Sequence, residues 1–177
     1  MFFNTPYSRY EMDIFKFAME KEKFSEDYYR QLSSKTSNKG LGNILTMLAE
    51  EERKHFNLVQ QMQQQTPQKQ TDTDILGNAR HIFEEMRQSV DSFSFDVTEL
   101  ELYEKARDIE KESRQFYLEK SDEVKDTSHK KIFKRLADEE QKHLALVQGI
   151  CDFVARPQWF LENAEMYRFD DYAEGVL

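Results

Sequence analysis

Two short stretches of the chain place a histidine three positions after a glutamate, Glu52-x-x-His55 and Glu140-x-x-His143. Side chains three positions apart lie on one face of an α-helix, so a carboxylate and an imidazole there can bind the same metal ion. A single pair of this kind is a weak signal, because charged side chains are common on solvated helix faces. Two pairs in a repeated segment are a stronger one.

The two pairs belong to a duplication. Residues 48–60 read LAEEERKHFNLVQ and residues 136–148 read LADEEQKHLALVQ, with nine of thirteen positions identical at an offset of 88 residues. The preceding segments match at the same offset, in the pairs Glu22 and Glu110, Ser25 and Ser113, and Tyr29 and Tyr117. We therefore interpret the chain as two related halves that carry the same set of polar residues.

Four segments show apolar residues at alternating intervals of three and four positions, the pattern of helices that bury one face. A short polar turn joins the first two segments and another joins the last two, and short turns connect antiparallel neighbours. We expect one helical hairpin over residues 8–66 and a second over residues 98–154, with capping boxes that begin at Ser8 and Thr98. The predicted fold is all-α, an antiparallel four-helix bundle made of two duplicated hairpins.

A long connection separates the two hairpins. Residues 67–97 follow a Gln-rich segment, and an amphipathic helix is expected at residues 74–90. A connection of this length can cross the bundle from end to end. We interpret residues 1–177 as one domain that closes with an aromatic-rich tail, residues 155–177, expected to pack on the bundle or on a second subunit.

Six acidic or imidazole side chains take positions on the inward helix stripes that would otherwise be apolar: Glu22, Glu52, His55, Glu110, Glu140 and His143. Burying four carboxylates without partners costs several kcal/mol per ion even after relaxation, and no lysine or arginine shares these stripes. Two divalent cations would neutralise the four carboxylates while the histidines bind as neutral imidazoles. A solvated face or a buried polar network explains the duplicated register less well. The sequence therefore predicts a dinuclear metal centre.

The arrangement of these residues is that of ferritin-like dimetal carboxylate bundles, in which two helices give one glutamate each and two give Glu-x-x-His. The symmetry of the repeat predicts Glu22 and Glu110 as terminal ligands of separate ions. Glu52 and Glu140 are then placed to bridge the two ions. A mixed carboxylate and imidazole set suits iron or manganese, and zinc is also compatible with it.

At these residues the chain resembles the rubrerythrin branch of the ferritin-like superfamily. The matching pieces are EKFSEDYY at 22–29, EEERKH at 50–55, EKESRQFY at 110–117 and DEEQKH at 138–143. The resemblance covers about residues 15–153. It implies a ferritin-like bundle with a long crossover connection and an oxo- or hydroxo-bridged pair of iron ions that reacts with hydrogen peroxide or dioxygen. It also implies oligomerisation, and we expect a homodimer.

The chain departs from rubrerythrins in two respects. The rubredoxin domain of full-length rubrerythrins is missing, which implies an external electron donor such as a rubredoxin-like protein. Rubrerythrins also carry an additional glutamate one turn beyond the third-helix ligand, and the corresponding residue here is Ser113. A symmetric six-ligand site of this kind is closer to that of bacterioferritin.

Several other residues near the predicted site allow more than one interpretation. Tyr29 and Tyr117 are candidate catalytic residues that hydrogen-bond the site carboxylates or carry electrons, and they serve equally well as core aromatics. Glu26 lies off the inward stripe and is not expected to be a ligand. His81 and His129 also lie off the stripe, and both are predicted to be at the surface.

The leading hypothesis is a di-iron oxidoreductase, and three alternatives stay open. These are a ferroxidase that handles iron, a structural bundle that binds metal without turnover, and a hydroxylase acting on a larger substrate such as RNA or a quinone. The net charge of −9 argues against nucleic acid and anionic membranes as partners. A single cysteine, Cys151, rules out an intramolecular disulfide and favours a reducing cytoplasmic setting.

Overall fold

In the computed structural model, residues 9–66, 73–89 and 93–163 are described, and they form helices with no strand among them. The helices are α1 (Arg9–Lys35), α2 (Lys39–Gln63), α3 (Ile75–Gln88), α4 (Val97–Glu123), α5 (Thr127–Ala155) and α6 (Pro157–Glu162). The predicted all-α, ferritin-like bundle is confirmed. No described helix is long and apolar enough to cross a membrane.

Two helical hairpins make up the bundle. Helix α1 packs along α2, and α4 packs along α5, while contacts of α1 with α4 and of α2 with α5 join the hairpins. The turns are short because the next helix is capped at once. The Asn38 side chain accepts a hydrogen bond from the Leu41 amide at 2.9 Å, and Asp126 accepts from the amides of Ser128 and His129.

The start of α4 differs from the prediction. The helix begins at Val97, and the side chain of Asp96 caps it by accepting a hydrogen bond from the Glu99 amide at 2.8 Å. The capping box predicted at Thr98 is therefore wrong. An aspartate caps as well as a threonine does and adds a negative charge at the positive end of the helix dipole. The predicted cap at Ser8 lies outside the described residues.

Two apolar layers fill the bundle interior. The upper layer lies around Leu45 and Phe153 and also includes the buried face of α3. The lower layer lies around Phe15 and Phe133 at the other end of the bundle. Helix α2 ends in the lower layer and α4 begins in the upper layer, so the connection between them joins opposite ends of the bundle.

Helices α3 and α6 cover the upper layer. The Phe160 ring of α6 lies 5.0 Å from the Phe83 ring of α3 and 5.8 Å from the Phe153 ring of α5, measured between centroids. Pro157 occupies the first turn of α6, where its missing N–H costs no hydrogen bond. The described part of the predicted tail thus packs on the bundle, and residues 164–177 lie outside the described residues.

Candidate metal centre

The six predicted ligand side chains lie between the two apolar layers. Helix α1 supplies Glu22, α4 supplies Glu110, and α2 and α5 supply one Glu-x-x-His pair each. All six are buried, with exposed fractions of 2% or less. Donor atoms of the four residues in the two Glu-x-x-His pairs lie within 4.8 Å of one another. A helical stripe of alternating three and four residues is what carries these side chains inward at one level of the bundle.

Each histidine faces glutamates from other helices. The Nδ1 atom of His55 lies 2.8 Å from Oε1 of Glu140 and 3.5 Å from Oε2 of Glu22. These contacts join α2 to α5 and α1. The imidazole therefore presents a ring nitrogen to one carboxylate of each hairpin.

The second half of the duplication repeats this geometry. The Nδ1 atom of His143 lies 2.8 Å from Oε1 of Glu52 and 3.7 Å from Oε2 of Glu110. The His143 ring stacks on the His55 ring, with 5.2 Å between centroids and an interplanar angle of 15°. The two half-sites thus meet in the middle of the bundle.

The nitrogen and oxygen atoms that point into this centre have no hydrogen-bond partner, even where a histidine nitrogen lies 2.8 Å from a carboxylate oxygen. They are Glu22 Oε2, Glu52 Oε1, His55 Nδ1, Glu110 Oε2, both carboxylate oxygens of Glu140, and His143 Nδ1. Leaving a buried polar atom unpaired costs about 1–3 kcal/mol, and more for a charged group. Carboxylate oxygens and imidazole nitrogens are metal ligands, so this buried cluster fits and is able to hold metal.

Two tyrosines hold the outer oxygens of the α1 and α4 glutamates. The Tyr29 hydroxyl donates to Oε1 of Glu110, and the Tyr117 hydroxyl donates to Oε1 of Glu22. Burial raises the pKa of both hydroxyls well above the usual value, and the neighbouring carboxylates raise it further. Both tyrosines therefore stay protonated donors, and each carboxylate keeps its other oxygen directed inward.

The electrostatics of the centre reflect crowded negative charge. Burial raises the pKa of Glu52 and Glu140 well above the usual range, and the surrounding carboxylates add to the effect. Burial opposes protonation of His55, but the hydrogen bond with Glu139 and the charge of Glu140 raise its pKa well above the ordinary value. In Glu110 the effect of burial is outweighed by His143, and its pKa is lowered. Without cations the centre therefore retains protons.

A carboxylate that the sequence reasoning missed lies behind His55. The Nε2 atom of His55 is 3.0 Å from Oε2 of Glu139, whose other oxygen accepts a hydrogen bond from Nε of Arg135 at 2.9 Å. Burial raises the pKa of Glu139, but His55 and Arg135 together lower it to about 2, so it stays charged. Its sequence signal was weak, because Glu139 is one of three consecutive acidic residues.

The other polar residues named in the sequence analysis differ in their burial and in their partners. Glu26 is buried but bound by Arg30 and Arg53, at 2.9 Å and 3.0 Å, so its carboxylate faces cations and not the centre. His81 is exposed, as predicted. The prediction for His129 is wrong, because this residue is 4% exposed and packs edge-on against Phe15. It lies one turn before a core phenylalanine, a position that the stripe pattern should have indicated.

Comparisons with known proteins agree with this fold. The family model described as Rubrerythrin matches residues 13–150. A solved structure of a hypothetical protein from Pyrococcus furiosus is similar, with a TM-score of 0.62 at 21% sequence identity. The similarity covers 86% of this chain and 94% of that one, and it shows the fold alone. No match was found among curated proteins.

Proposed function

Because the chain belongs to the rubrerythrin family, we propose that it is a non-haem di-iron oxidoreductase. In this proposal the protein reduces hydrogen peroxide or dioxygen and is returned to its reduced state by an external electron donor. Two bound iron ions would supply one electron each to the oxidant. The family favours iron over manganese or zinc, which the same donor atoms also accept.

The observation that carries the proposal is the set of buried donor atoms without hydrogen-bond partners, at least one on each of the six side chains. Four buried carboxylates would otherwise be a large uncompensated cost in a bundle whose other layers are apolar. Two divalent ions offset four negative charges, and the histidine nitrogens complete the set.

We assign ligand roles from the position of each side chain. Glu22 and Glu110 would bind one ion each, because each has one oxygen fixed by a tyrosine and one directed inward. Glu52 and Glu140 are proposed to bridge, and both oxygens of Glu140 lack a hydrogen-bond partner. Nδ1 of each histidine would complete the half-sites.

The tyrosines are proposed to act on the carboxylates. Each hydroxyl is buried and holds its proton against an oxygen of Glu22 or Glu110. A protonated donor at that oxygen orients the carboxylate and limits its rotation. Tyr29 and Tyr117 are in addition candidates to pass a proton to the reacting oxygen through these glutamates.

A second candidate function is ferrous iron oxidation linked to iron handling. The observation that favours it is Ser113, which is buried at the position where rubrerythrins carry another glutamate. Ser25 is its buried counterpart in the first half, so each half offers three candidate ligands and neither serine position adds a glutamate.

The partners are proposed on the same basis. The single cysteine cannot build a four-cysteine iron site within these 177 residues, so we propose a separate donor such as a rubredoxin-like protein. A homodimer and a cytoplasmic setting also stay predictions. Gel filtration with light scattering tests the first of these two.

The test begins with metal content. Protein loaded anaerobically with ferrous iron should hold two irons per chain and develop an oxo-bridge absorption on oxidation. Stopped-flow mixing of the diferrous protein with hydrogen peroxide or dioxygen then identifies the oxidant. Binding of one iron or none would contradict the dinuclear centre.

Two further outcomes separate the alternatives. If neither oxidant reacts faster with the loaded protein than with free ferrous iron, the bundle is structural and the oxidoreductase proposal is wrong. Glu52→Ala should lose the paired site, whereas Glu50→Ala, at an exposed position two residues away, should retain two irons. A Glu52→Ala protein with two coupled irons would refute the bridging role.

A further inference from the structure

The two histidines of the centre occupy unequal surroundings even though their ligand partners are duplicated. At the offset of 88 residues, Glu139 corresponds to Glu51 and Arg135 corresponds to Met47. The candidate ligands are therefore repeated in both halves. Arg135, which bonds the Glu139 carboxylate beside His55, has no cationic counterpart in the other half, because residue 47 is a methionine. This difference in the surroundings of the two histidines should affect the metal affinity of each half-site.

Behind His55 the hydrogen-bond chain is complete. Glu139 accepts from the ring at 3.0 Å and from Arg135 at 2.9 Å, and its side chain is 22% exposed. In the neutral imidazole that binds a metal ion, a proton held on Nε2 by this bond leaves the lone pair on Nδ1, the nitrogen that faces the central carboxylates. The imidazole is thus fixed both in tautomer and in orientation.

Behind His143 the corresponding chain is broken. Nζ of Lys54 donates to Oε1 of Glu51 at 2.7 Å and to Oγ1 of Thr73 at 2.6 Å, which keeps this carboxylate engaged elsewhere. Among the described residues no hydrogen bond reaches Nε2 of His143. A cavity of about 20 Å³ borders the ring instead, and it has room for about one water molecule. Its lining includes Glu51, Ile75 and Glu139, whose two oxygens are already bonded to His55 and Arg135.

The crossover connection is the source of this difference. Thr73 and Ile75 both belong to it, and the connection covers α2 on the His143 side of the centre. A tandem of two hairpins has only one such connection, and among the described residues Nε2 of His55 bonds Glu139 instead. Topology therefore breaks a symmetry that the duplicated ligands preserve.

We propose that Glu139 is a positioning residue that makes the half-site of His55 bind its metal ion more tightly than the half-site of His143. This inference rests on the proposed dinuclear centre. A carboxylate bonded to the far nitrogen of a ligating histidine raises its basicity and fixes its ring, and its loss typically lowers metal affinity by about 10–100-fold. The two ions should therefore bind in sequence, with affinities about 10–100-fold apart.

The test is an anaerobic titration of the metal-free full chain with cobalt(II), followed by calorimetry and visible absorption. The wild-type protein should show two resolved steps. Glu139→Gln should weaken the first step by about 10–100-fold, so that the steps merge. The matched control is Glu51→Gln at the duplicated position, which should shift neither step by more than about threefold, because Glu51 has no bond to a histidine. Glu139→Asp serves in the same way if the glutamine variant does not fold.

Proton NMR of the one-cobalt form supplies a readout that a merely structural role would not move. The imidazole Nε2–H of His55 should give a paramagnetically shifted signal that exchanges slowly with solvent, and Glu139→Gln should speed its exchange. Two equal steps in the wild type, or equal effects of the Glu139 and Glu51 variants, would overturn this inference alone. Failure of cobalt to bind at all would overturn the dinuclear centre as well.

Discussion

The interior of this bundle contains layers of two kinds. In the upper and lower layers the buried side chains are apolar and fill space, around Leu45 and Phe153 at one end and around Phe133 at the other. In the central layer six ionisable side chains are equally buried, and each keeps a donor atom without a hydrogen-bond partner. The apolar layers therefore stabilise the fold, whereas the unpartnered polar atoms of the central layer destabilise the metal-free protein.

A single helix contributes to all three layers, so the difference is one of side-chain chemistry and not of local structure. Helix α2 places Leu45 in the upper layer, Glu52 and His55 in the central layer, and Val59 in the lower layer. Substitutions along this stripe should separate two properties. Changes in the central layer should affect metal binding, and changes in the apolar layers should affect the free energy of unfolding.

The largest expected effect on metal binding is that of Glu140→Leu. The variant removes a proposed bridging ligand, so metal content should fall from two ions per chain to one or fewer. The metal-free variant should be as stable as the wild type or more stable, by up to about 4 kcal/mol, because an apolar side chain replaces an unpaired buried carboxylate. Metal analysis and urea unfolding measure the two quantities.

The control for Glu140→Leu is Asp138→Asn, a change at an exposed position on the same helix. It should leave metal content and unfolding free energy unchanged within about 0.5 kcal/mol. A Glu140→Leu protein that loses stability and keeps two ions would show that the central layer behaves as an ordinary core.

Phe153→Ala, in the upper layer, should lower the stability of the protein without changing its metal content. The ring of Phe153 packs against Phe83 and Phe160, and truncating a buried phenylalanine costs about 3–5 kcal/mol. Metal content should stay at two ions per chain, since no ligand is changed. The exposed Phe24 provides the control, and Phe24→Ala should cost no more than about 0.5 kcal/mol. Loss of metal from folded Phe153→Ala protein would contradict the separation of layers.

The central layer was more predictable from the sequence than its surroundings were. The six candidate ligand positions follow from a helical stripe and from a repeat, both of which are visible in the sequence without knowledge of tertiary contacts. Glu139 and Thr73 were missed because their roles depend on contacts between segments that are distant in sequence. The cap at Asp96 and the burial of His129 depend on neighbouring residues in the sequence, so both could have been predicted from it.

The free energy of unfolding of the metal-free protein should fall as pH rises, whereas its affinity for metal should increase. Folding raises the pKa of Glu52, Glu140 and His55, so the folded chain retains protons that the unfolded chain releases above about pH 4.3 for glutamate and about 6.5 for histidine. The free energy of unfolding should therefore fall as pH rises, by about 1.4 kcal/mol per pH unit for each retained proton. Glu110 and Glu139 have lowered pKa values and contribute an opposite slope only in acid.

Metal binding displaces the retained protons, so metal affinity should increase over the same range. Urea unfolding of the metal-free chain at pH 6 and pH 8 measures the first slope, and cobalt titration at the same values measures the second. The double variant Glu52→Gln, Glu140→Gln should flatten the first slope. A metal-free protein that is more stable at pH 8 would be incompatible with protons held in the central layer.

The smallest effects are expected where the central layer borders its apolar neighbours, at Tyr117 in the lower layer and Tyr29 in the upper layer. Tyr117→Phe keeps the packed ring and removes only the hydroxyl that donates to Glu22. The metal-free protein should lose about 1–3 kcal/mol, because a carboxylate oxygen is left without its donor. Two ions per chain should still bind, since every ligand atom is retained.

Tyr29→Phe is the matched variant, because its hydroxyl makes the equivalent bond to Glu110 in the other half. If the tyrosines only orient carboxylates, both variants should change the rate of diferrous oxidation by a similar small factor. A large loss of rate in one variant with two ions still bound would instead assign that tyrosine a role in proton or electron transfer. Stopped-flow oxidation with the metal content of the same samples decides between these outcomes, and loss of metal in either variant would show that the hydroxyl is needed for binding itself.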